Sequence, residues 1–274
     1  NVADRLADMQ HRAAGEWVSK TTSAMLPQTR AQLHLPQGRY TGRVNKKIQH
    51  ALWKEDADQY ISRKLDLVHK DKVDWDSLGR HHRWLSWQRR ATRLKFVFRW
   101  APTNARCHAI GTADSPMCPL CGNCTETTEH MLQCESLAAI KARTAALSAL
   151  EEALDDAGTH PDLISLLSCA IATGEEPPYD MGDTDIDLSG VMEAQRNIGW
   201  HLLRYGFIAK EWKAEQTKWG MTQDPNYAQK KGDRWARQLQ ETTWEYVAAV
   251  WDHRNKTVHG KDDSKASTRQ LGKL

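Results

Sequence analysis

Apolar residues recur at helical spacing along most of the chain. They return every three or four positions over residues 45–69 and 135–157, which predicts amphipathic helices there. A shorter helix is predicted from residue 161 to about 172. Beyond it, the pattern predicts two long antiparallel helices, one from residue 188 to about 219 and one from the break at 220–225 to about His259.

The segment from residue 31 to 44 departs from this helical pattern. Apolar and polar residues alternate in part, and Pro36-Gln37-Gly38 lies between the two halves. This predicts one short β-hairpin near the N-terminus, with strands over residues 31–35 and 39–44. The predicted fold class is therefore mainly α and multi-helix, with a single hairpin.

Residues 80–106 contain many arginines, interleaved aromatic residues and no acidic residue, and we predict one long basic helix that ends at Pro102. Arginine mixed with aromatic residues can neutralise phosphates and stack on bases. The alternative is an ordinary helix whose arginine stems pack at the margin of the core. The residues predicted to contact nucleic acid are Arg83, Arg89, Arg90, Arg93, Lys95, Arg99, Trp84 and Trp87.

Four residues have the spacing of a metal site, C-x2-C-x8-H-x3-C: Cys118, Cys121, His130 and Cys134. Pro119 and Gly122 suit a tight turn round the first pair, with positive φ at the glycine. The histidine and the last cysteine are four residues apart, so on a helix they would share one face. Thr127 is placed to cap that helix. Three thiolates and one imidazole make a closed tetrahedral site, so one structural Zn²⁺ is predicted to stabilise the fold.

The choice of ligands leaves alternatives open. Cys124 lies between the two pairs and Cys107 lies upstream, and either could replace one of the four. We favour Cys124 as a spare thiol. Most of the 6 cysteines are thus assigned to the metal, which argues against a disulfide scaffold and for a reducing, intracellular compartment, the nucleus or the cytoplasm.

Composition narrows the class of protein further. At 274 residues the chain can bury a core without help, and its net charge of +3 is too small to indicate nucleic acid by itself. The chain has 12 tryptophans, and those over residues 188–259 recur at a spacing more typical of core than of base-stacking platforms. No apolar run has membrane length, so no membrane partner is expected.

The order of segments predicts five regions. Residues 1–30 form the first region, and residues 31–172 hold the hairpin, the basic helix and the metal motif. Residues 173–187 combine glycine, proline and acidic residues, which predicts a linker. Residues 188–260 form the tryptophan-rich helical hairpin, and 261–274 a disordered tail. The pattern leaves open whether the helices on either side of the linker share one core.

Residues 1–7 resemble the start of the last helix of ribonuclease H domains. In that family the aspartate matched by Asp4 is the last metal-binding carboxylate. One carboxylate cannot hold the two metal ions of that chemistry. We therefore interpret residues 1–30 as a remnant, the chain as a fragment of a longer protein, and its function as non-enzymatic.

The metal motif resembles the zinc-binding C-terminal region of non-LTR-type retroelement reverse-transcriptase polyproteins, over residues 118–122 and 126–134. The resemblance extends to residues 93–103 before the motif and to residues 251–260 after it. The resemblance implies an element-encoded protein acting on its own RNA and target DNA. It also implies the polymerase domain of the same polyprotein as a partner. No polymerase carboxylate motif occurs, so that activity is not implied here.

Two functions compete. The first is a non-catalytic, zinc-stabilised module that binds RNA or DNA for a reverse transcriptase. The second is a structural module that docks on the polymerase or on another copy through its tryptophan-rich helices, with zinc purely structural. A ribonuclease H activity at Asp4 is a third and weaker alternative, because no partner carboxylates occur in a suitable strand context.

Overall fold

The computed structural model describes residues 33–35, 38–40, 44–178, 186–224 and 229–260. The chain divides into two compact units, with the boundary between Asp58 and Gln59. In the first unit, strands β1 (Leu33–Leu35) and β2 (Gly38–Tyr40) pair antiparallel. The turn and outer ends of the predicted hairpin lie outside the described residues, so the hairpin as a whole stays a prediction. So do the predicted remnant over residues 1–30, with Asp4, and the predicted tail.

The described part is mainly helical. Helix α1 (Val44–Leu65) crosses the boundary between the units, and a 3-10 turn covers Lys70–Lys72. The helices of the second unit are α2 (Trp75–Trp84), α3 (Trp87–Val97), α4 (Asn104–Ala109), α5 (Thr128–Gln133), α6 (Leu137–Asp156), α7 (Pro161–Thr173), α8 (Leu188–Ile198), α9 (Trp200–Leu203), α10 (Lys210–Gln223) and α11 (Gln229–His259). Within the described ranges, no helix combines the length and the apolar character that crossing a membrane requires.

One large hydrophobic cluster forms the core of the second unit. It includes residues from both sides of the predicted linker, from Leu65 to Trp251. The longest helix, α11, packs against α2, α6 and α10. Its tryptophans Trp235, Trp244 and Trp251 are all buried, which confirms the interpretation of these tryptophans as core residues.

The prediction of a single basic helix from residue 80 to Pro102 is wrong. The segment is divided among the end of α2, all of α3 and the start of α4. Leu85 is buried in an extended conformation, and the Ser86 hydroxyl accepts a hydrogen bond from the Arg89 amide (3.3 Å), so a new helix begins there. After α3, Arg99 adopts φ +59° and prevents the helix from continuing to Pro102.

The prediction of one helix from residue 188 to about 219 is also wrong. The chain bends at Gly199 (φ +111°) and Gly206 (φ +87°), which gives α8, α9 and α10. The fully buried Gln195 holds these bends, because its side-chain nitrogen donates to the carbonyls of Gly199 (3.3 Å) and Phe207 (3.1 Å). Apolar residues face the core on all three pieces, so their periodicity continues across the bends.

Candidate metal centre

Four side chains converge as the spacing predicts. The ligand atoms of Cys118, Cys121, His130 and Cys134 all lie within 4.8 Å of one another. The Cys118 and Cys134 sulfurs are 3.8 Å apart, and Nε2 of His130 is 3.4 Å from the Cys121 sulfur. Metal–ligand distances of ~2.3 Å to sulfur and ~2.0–2.1 Å to nitrogen give tetrahedral edges of about 3.8 and 3.5 Å. The cluster could therefore hold one small tetrahedral metal ion.

The first two cysteines lie on a tight turn. The Cys118 amide donates to the Cys124 carbonyl (2.7 Å), and the Gly122 amide donates back to the Cys118 carbonyl (2.8 Å). Gly122 has φ +69°, as predicted, a conformation that suits glycine. An isolated antiparallel bridge between Met117 and Thr125 closes the base of the turn.

The two sulfurs of this turn have different environments. Burial raises the pKa of Cys118 to about 12, although the amides of Cys121 and Leu120 point at its sulfur and oppose the shift. Around Cys121, the amide of Asn123 is the largest influence and lowers the pKa to about 6. Cys121 is thus already suited to carry charge, whereas a bound cation would have to stabilise the Cys118 thiolate.

Helix α5 and the residue that follows it supply the other two ligands. The Thr127 hydroxyl accepts a hydrogen bond from the His130 amide (3.0 Å), which confirms the predicted cap. Cys134 comes immediately after the helix rather than within it. Met131 and Leu132, between the two ligands, are buried in the core. The metal site is therefore anchored to the second unit by the same helix that presents His130.

The alternative ligands do not join the cluster. Cys124 is exposed and Cys107 is half-buried, and neither belongs to the group of side chains that could hold a metal. In the part of the chain that the structure describes, the four predicted residues form the one such group.

Sequence reasoning missed a buried ion pair beside this site. Two of the guanidinium nitrogens of Arg254, Nε and Nη2, donate to the Glu126 carboxylate, at 2.8 and 2.6 Å. Asn104 contacts both members of the ion pair. Its backbone amide donates to Glu126 (2.6 Å), and its side-chain oxygen accepts from Arg254 (2.9 Å). The sequence assigned Arg254 to the end of the last helix. The one available signal was that Glu126 and Arg254 both lie in motifs of the resemblance.

The residues predicted to contact nucleic acid fall on α2 and α3 instead of on one helix, except Arg99, which follows the end of α3. Trp84 ends α2 and is 78% exposed, and Trp87 begins α3 and is 65% exposed. Arg83, Arg89, Arg90 and Arg99 are also exposed, whereas Lys95 is half-buried. The break between α2 and α3 therefore places two exposed indoles close together in the chain, with arginines on both sides.

Arg93 is not on this surface, which corrects its prediction. It is 1% exposed, its Nη2 donates to the Gln240 side-chain oxygen (2.8 Å), and its guanidinium lies 5.7 Å from the centre of the Trp244 ring. Burial lowers its pKa to about 10, so it stays charged at neutral pH. Arg93 is in a position to tie α3 to α11, and a phosphate cannot reach it.

Two more of the predicted arginines have acidic neighbours. Arg89 forms an exposed ion pair with Glu241 (3.3 Å), and Arg99 lies 2.6 Å from Glu129 on α5. By contrast, no described acidic side chain lies within ion-pair distance of Arg83 or Arg90. Among the described residues, the charges of Arg83 and Arg90 are therefore uncompensated.

No protein-family model matches the chain, and no curated protein or solved structure is significantly similar to it.

Proposed function

We propose that this chain is a non-catalytic, zinc-binding, nucleic-acid-binding module of a retrotransposon reverse-transcriptase protein. The observation that carries the proposal is the exposure of Trp84 and Trp87 beside Arg83 and Arg90, which have no acidic partner among the described residues. We call these four residues the α2–α3 surface. Exposed aromatic side chains beside arginines have the composition of a surface that stacks on bases and neutralises phosphates.

The chemistry of the α2–α3 surface suits a nucleic acid strand. An exposed indole offers a flat face on which a base can stack, and stacking of this kind tolerates any base. Arg83 and Arg90 can neutralise phosphates on either side of that face, since both are exposed. RNA or DNA is therefore the proposed partner.

Zinc has a structural part in this proposal. Four protein ligands would close a tetrahedron round the ion and leave no position for water or substrate, which is the arrangement of structural sites. Bound Zn²⁺ would hold α5 against the turn at Gly122. The motif residues of the retroelement resemblance meet here, because Glu126 follows the turn and is paired with Arg254.

Fluorescence anisotropy of the zinc-loaded chain with labelled single-stranded RNA and duplex DNA, at low and moderate salt, tests the proposal. We expect affinity to fall steeply with salt, and to fall further when Arg83 and Arg90 are both changed to alanine. The matched control changes two exposed lysines elsewhere, Lys141 and Lys230, to alanine. Equal losses in the two double variants, or an affinity that ignores salt, would contradict a specific nucleic-acid surface.

The second candidate is a structural module that docks on the polymerase domain or on another copy of itself. It is favoured by further exposed apolar side chains on the same segment, Leu94 and Trp100, which are 43% and 44% exposed. Light scattering across a wide concentration range tests self-association. Association that persists at high salt and is lost in Trp84→Ala would favour this candidate over nucleic-acid binding.

A further inference from the structure

A cleft of about 450 Å³ lies between α3 and α11, beside the exposed Trp87. This volume is within the range of small-molecule sites, ~300–1,000 Å³. Phe96, Trp244 and Trp251 contribute to its lining, and the phenyl ring meets both indoles edge-on, with centroids 5.5 and 5.3 Å apart. All three are at most 5% exposed, so core packing fixes the aromatic floor of the cleft.

The two rims of this α3–α11 cleft have opposite charge. Arg89 and Lys95 lie on the α3 side, whereas Glu245 and Asp252 lie on the α11 side. Burial raises the pKa of both carboxyl groups. Among the described residues, neither carboxylate has a cation within ion-pair distance, so their oxygens are available as hydrogen-bond acceptors.

This arrangement matches the two ends of a nucleotide. The exposed Trp87, above the aromatic floor, suits the flat face of a base, and a carboxylate accepts hydrogen bonds from base amino groups but repels a phosphate. Phosphates would instead lie on the α3 side. There, Arg90 is exposed one helical turn beyond Trp87.

We propose that the α3–α11 cleft binds one unstacked base of a single-stranded nucleic acid, with the base against Trp87 and its amino edge toward Glu245 and Asp252. The proposal rests on the nucleic-acid-binding function proposed above and adds two preferences. Single strands should bind more tightly than duplexes, whose bases are stacked and paired. Cytosine, which carries an amino group, should bind more tightly than uracil, which does not.

The main test fills the cleft without changing its charge. Ala248 lines the cleft, whereas the next residue, Ala249, is exposed and does not. Anisotropy would compare Ala248→Phe and Ala249→Phe with the unchanged zinc-loaded chain, using oligocytidine, oligouridine and a duplex of equal length. We expect Ala248→Phe to weaken binding of oligocytidine at least about fivefold and to leave the duplex unchanged. Ala249→Phe should alter neither.

A second variant tests the reading of the base edge. Replacing both Glu245 and Asp252 by leucine removes the acceptors and two negative charges. General affinity for both oligonucleotides should therefore rise, so the ratio of the two affinities is the readout. We expect the preference for oligocytidine over oligouridine to fall to about one, and a ratio that stays unchanged would overturn the assigned role of the carboxylates.

A third measurement uses the unchanged chain and so does not depend on the folding of any variant. An oligocytidine carrying 5-iodocytidine, which keeps the amino group of cytosine, would be photo-crosslinked to the zinc-loaded protein, and the attached peptide identified after trypsin digestion. Crosslinks to the peptide of residues 238–254, which carries the α11 side of the cleft, are expected. Crosslinks confined to other segments would overturn the proposal.

The remaining outcomes separate the two levels of the proposal. If Ala248→Phe binds single strands as well as the unchanged chain, the cleft is not used and nucleic-acid binding stands. If the unchanged chain binds no nucleic acid at low salt, both proposals fail. Equal loss of single-strand and duplex binding in Ala248→Phe would also overturn the proposal. If Ala248→Phe loses only self-association, the cleft binds a protein side chain, and the proposal is overturned as well.

Discussion

Arg254 and Glu126 are 128 positions apart in the chain and form a bidentate ion pair in the core, with hydrogen bonds of 2.8 and 2.6 Å. Arg254 is 3% exposed and Glu126 is 0% exposed. The pair joins the last helix to the segment between the two halves of the metal motif. Assembly of the metal site and docking of α11 are therefore expected to depend on each other.

We first predict that Glu126→Ala lowers the free energy of unfolding by about 3–5 kcal/mol, because it leaves a buried guanidinium without its charge partner. Arg254→Lys should also be destabilising, since an ammonium cannot make both bonds. Urea denaturation monitored by circular dichroism measures the change. The matched control is Glu176→Ala, which breaks the exposed ion pair with Arg196 and should have little effect. Equal stability of the two alanine variants would contradict this account.

The second prediction concerns the metal. The chain should bind one zinc ion, and Cys118→Ser or His130→Ala should release it and lower the melting temperature sharply. Structural zinc contributes about 10–16 kcal/mol of apparent binding energy in small peptides. Elemental analysis and thermal melts provide the measurement. Cys124→Ser is the control, because this exposed thiol lies outside the ligand cluster and its loss should leave both zinc content and melting temperature unchanged.

The third prediction concerns the bend at Gly206. A Cβ there would lie 2.2 Å from the Arg93 guanidinium and 2.4 Å from the Gln240 side-chain oxygen, at φ +87°. Gly206→Ala should therefore lower stability by about 2–5 kcal/mol, from backbone strain and overpacking together. Gly111→Ala has a similar φ of +76° with nothing within 4 Å, so it isolates the backbone contribution and should cost about 1–2 kcal/mol. Denaturant titration of both variants checks the difference.

The elements that sequence could predict are those set by local chemistry. Metal-ligand spacing identified all four members of the cluster, and the cap at Thr127 followed from a side chain that accepts a hydrogen bond from a nearby amide. Four helices, α1, α6, α7 and α11, were predicted to within a few residues because their apolar periodicity is uninterrupted. Local signals therefore sufficed for the four-residue cluster and for these four helices.

The parts that sequence could not supply depend on distant partners. Arg90 and Arg93 look alike in the sequence, yet Arg90 is exposed and Arg93 is buried against Gln240, which is 147 positions away. The bends at Gly199 and Gly206 were missed because the apolar pattern runs through them. What holds them is Gln195, a polar residue that gives no periodic signal.

The fourth prediction is a pH dependence that originates at His81, which is 2% exposed. Burial, with a smaller contribution from the charge of Arg93, lowers its pKa to about 3. Geometry agrees with this direction although Glu241 is near: neutral imidazole can donate from Nδ1 to that carboxylate (3.2 Å), whereas a proton on Nε2 would be buried with no described acceptor.

Because the pKa of His81 is lower in the folded chain, the unfolded chain binds more protons between about pH 6.5 and 3. The contribution of His81 to stability should therefore be constant above pH 6.5 and fall as the pH drops through this window, with a limiting slope of about 1.4 kcal/mol per pH unit. His81→Asn keeps a donor for Glu241 and removes the titration. The difference in unfolding free energy between this variant and the unchanged chain, measured from pH 7.5 to 5, cancels proton uptake by the metal ligands. A difference that does not vary with pH would rule out His81 as the source.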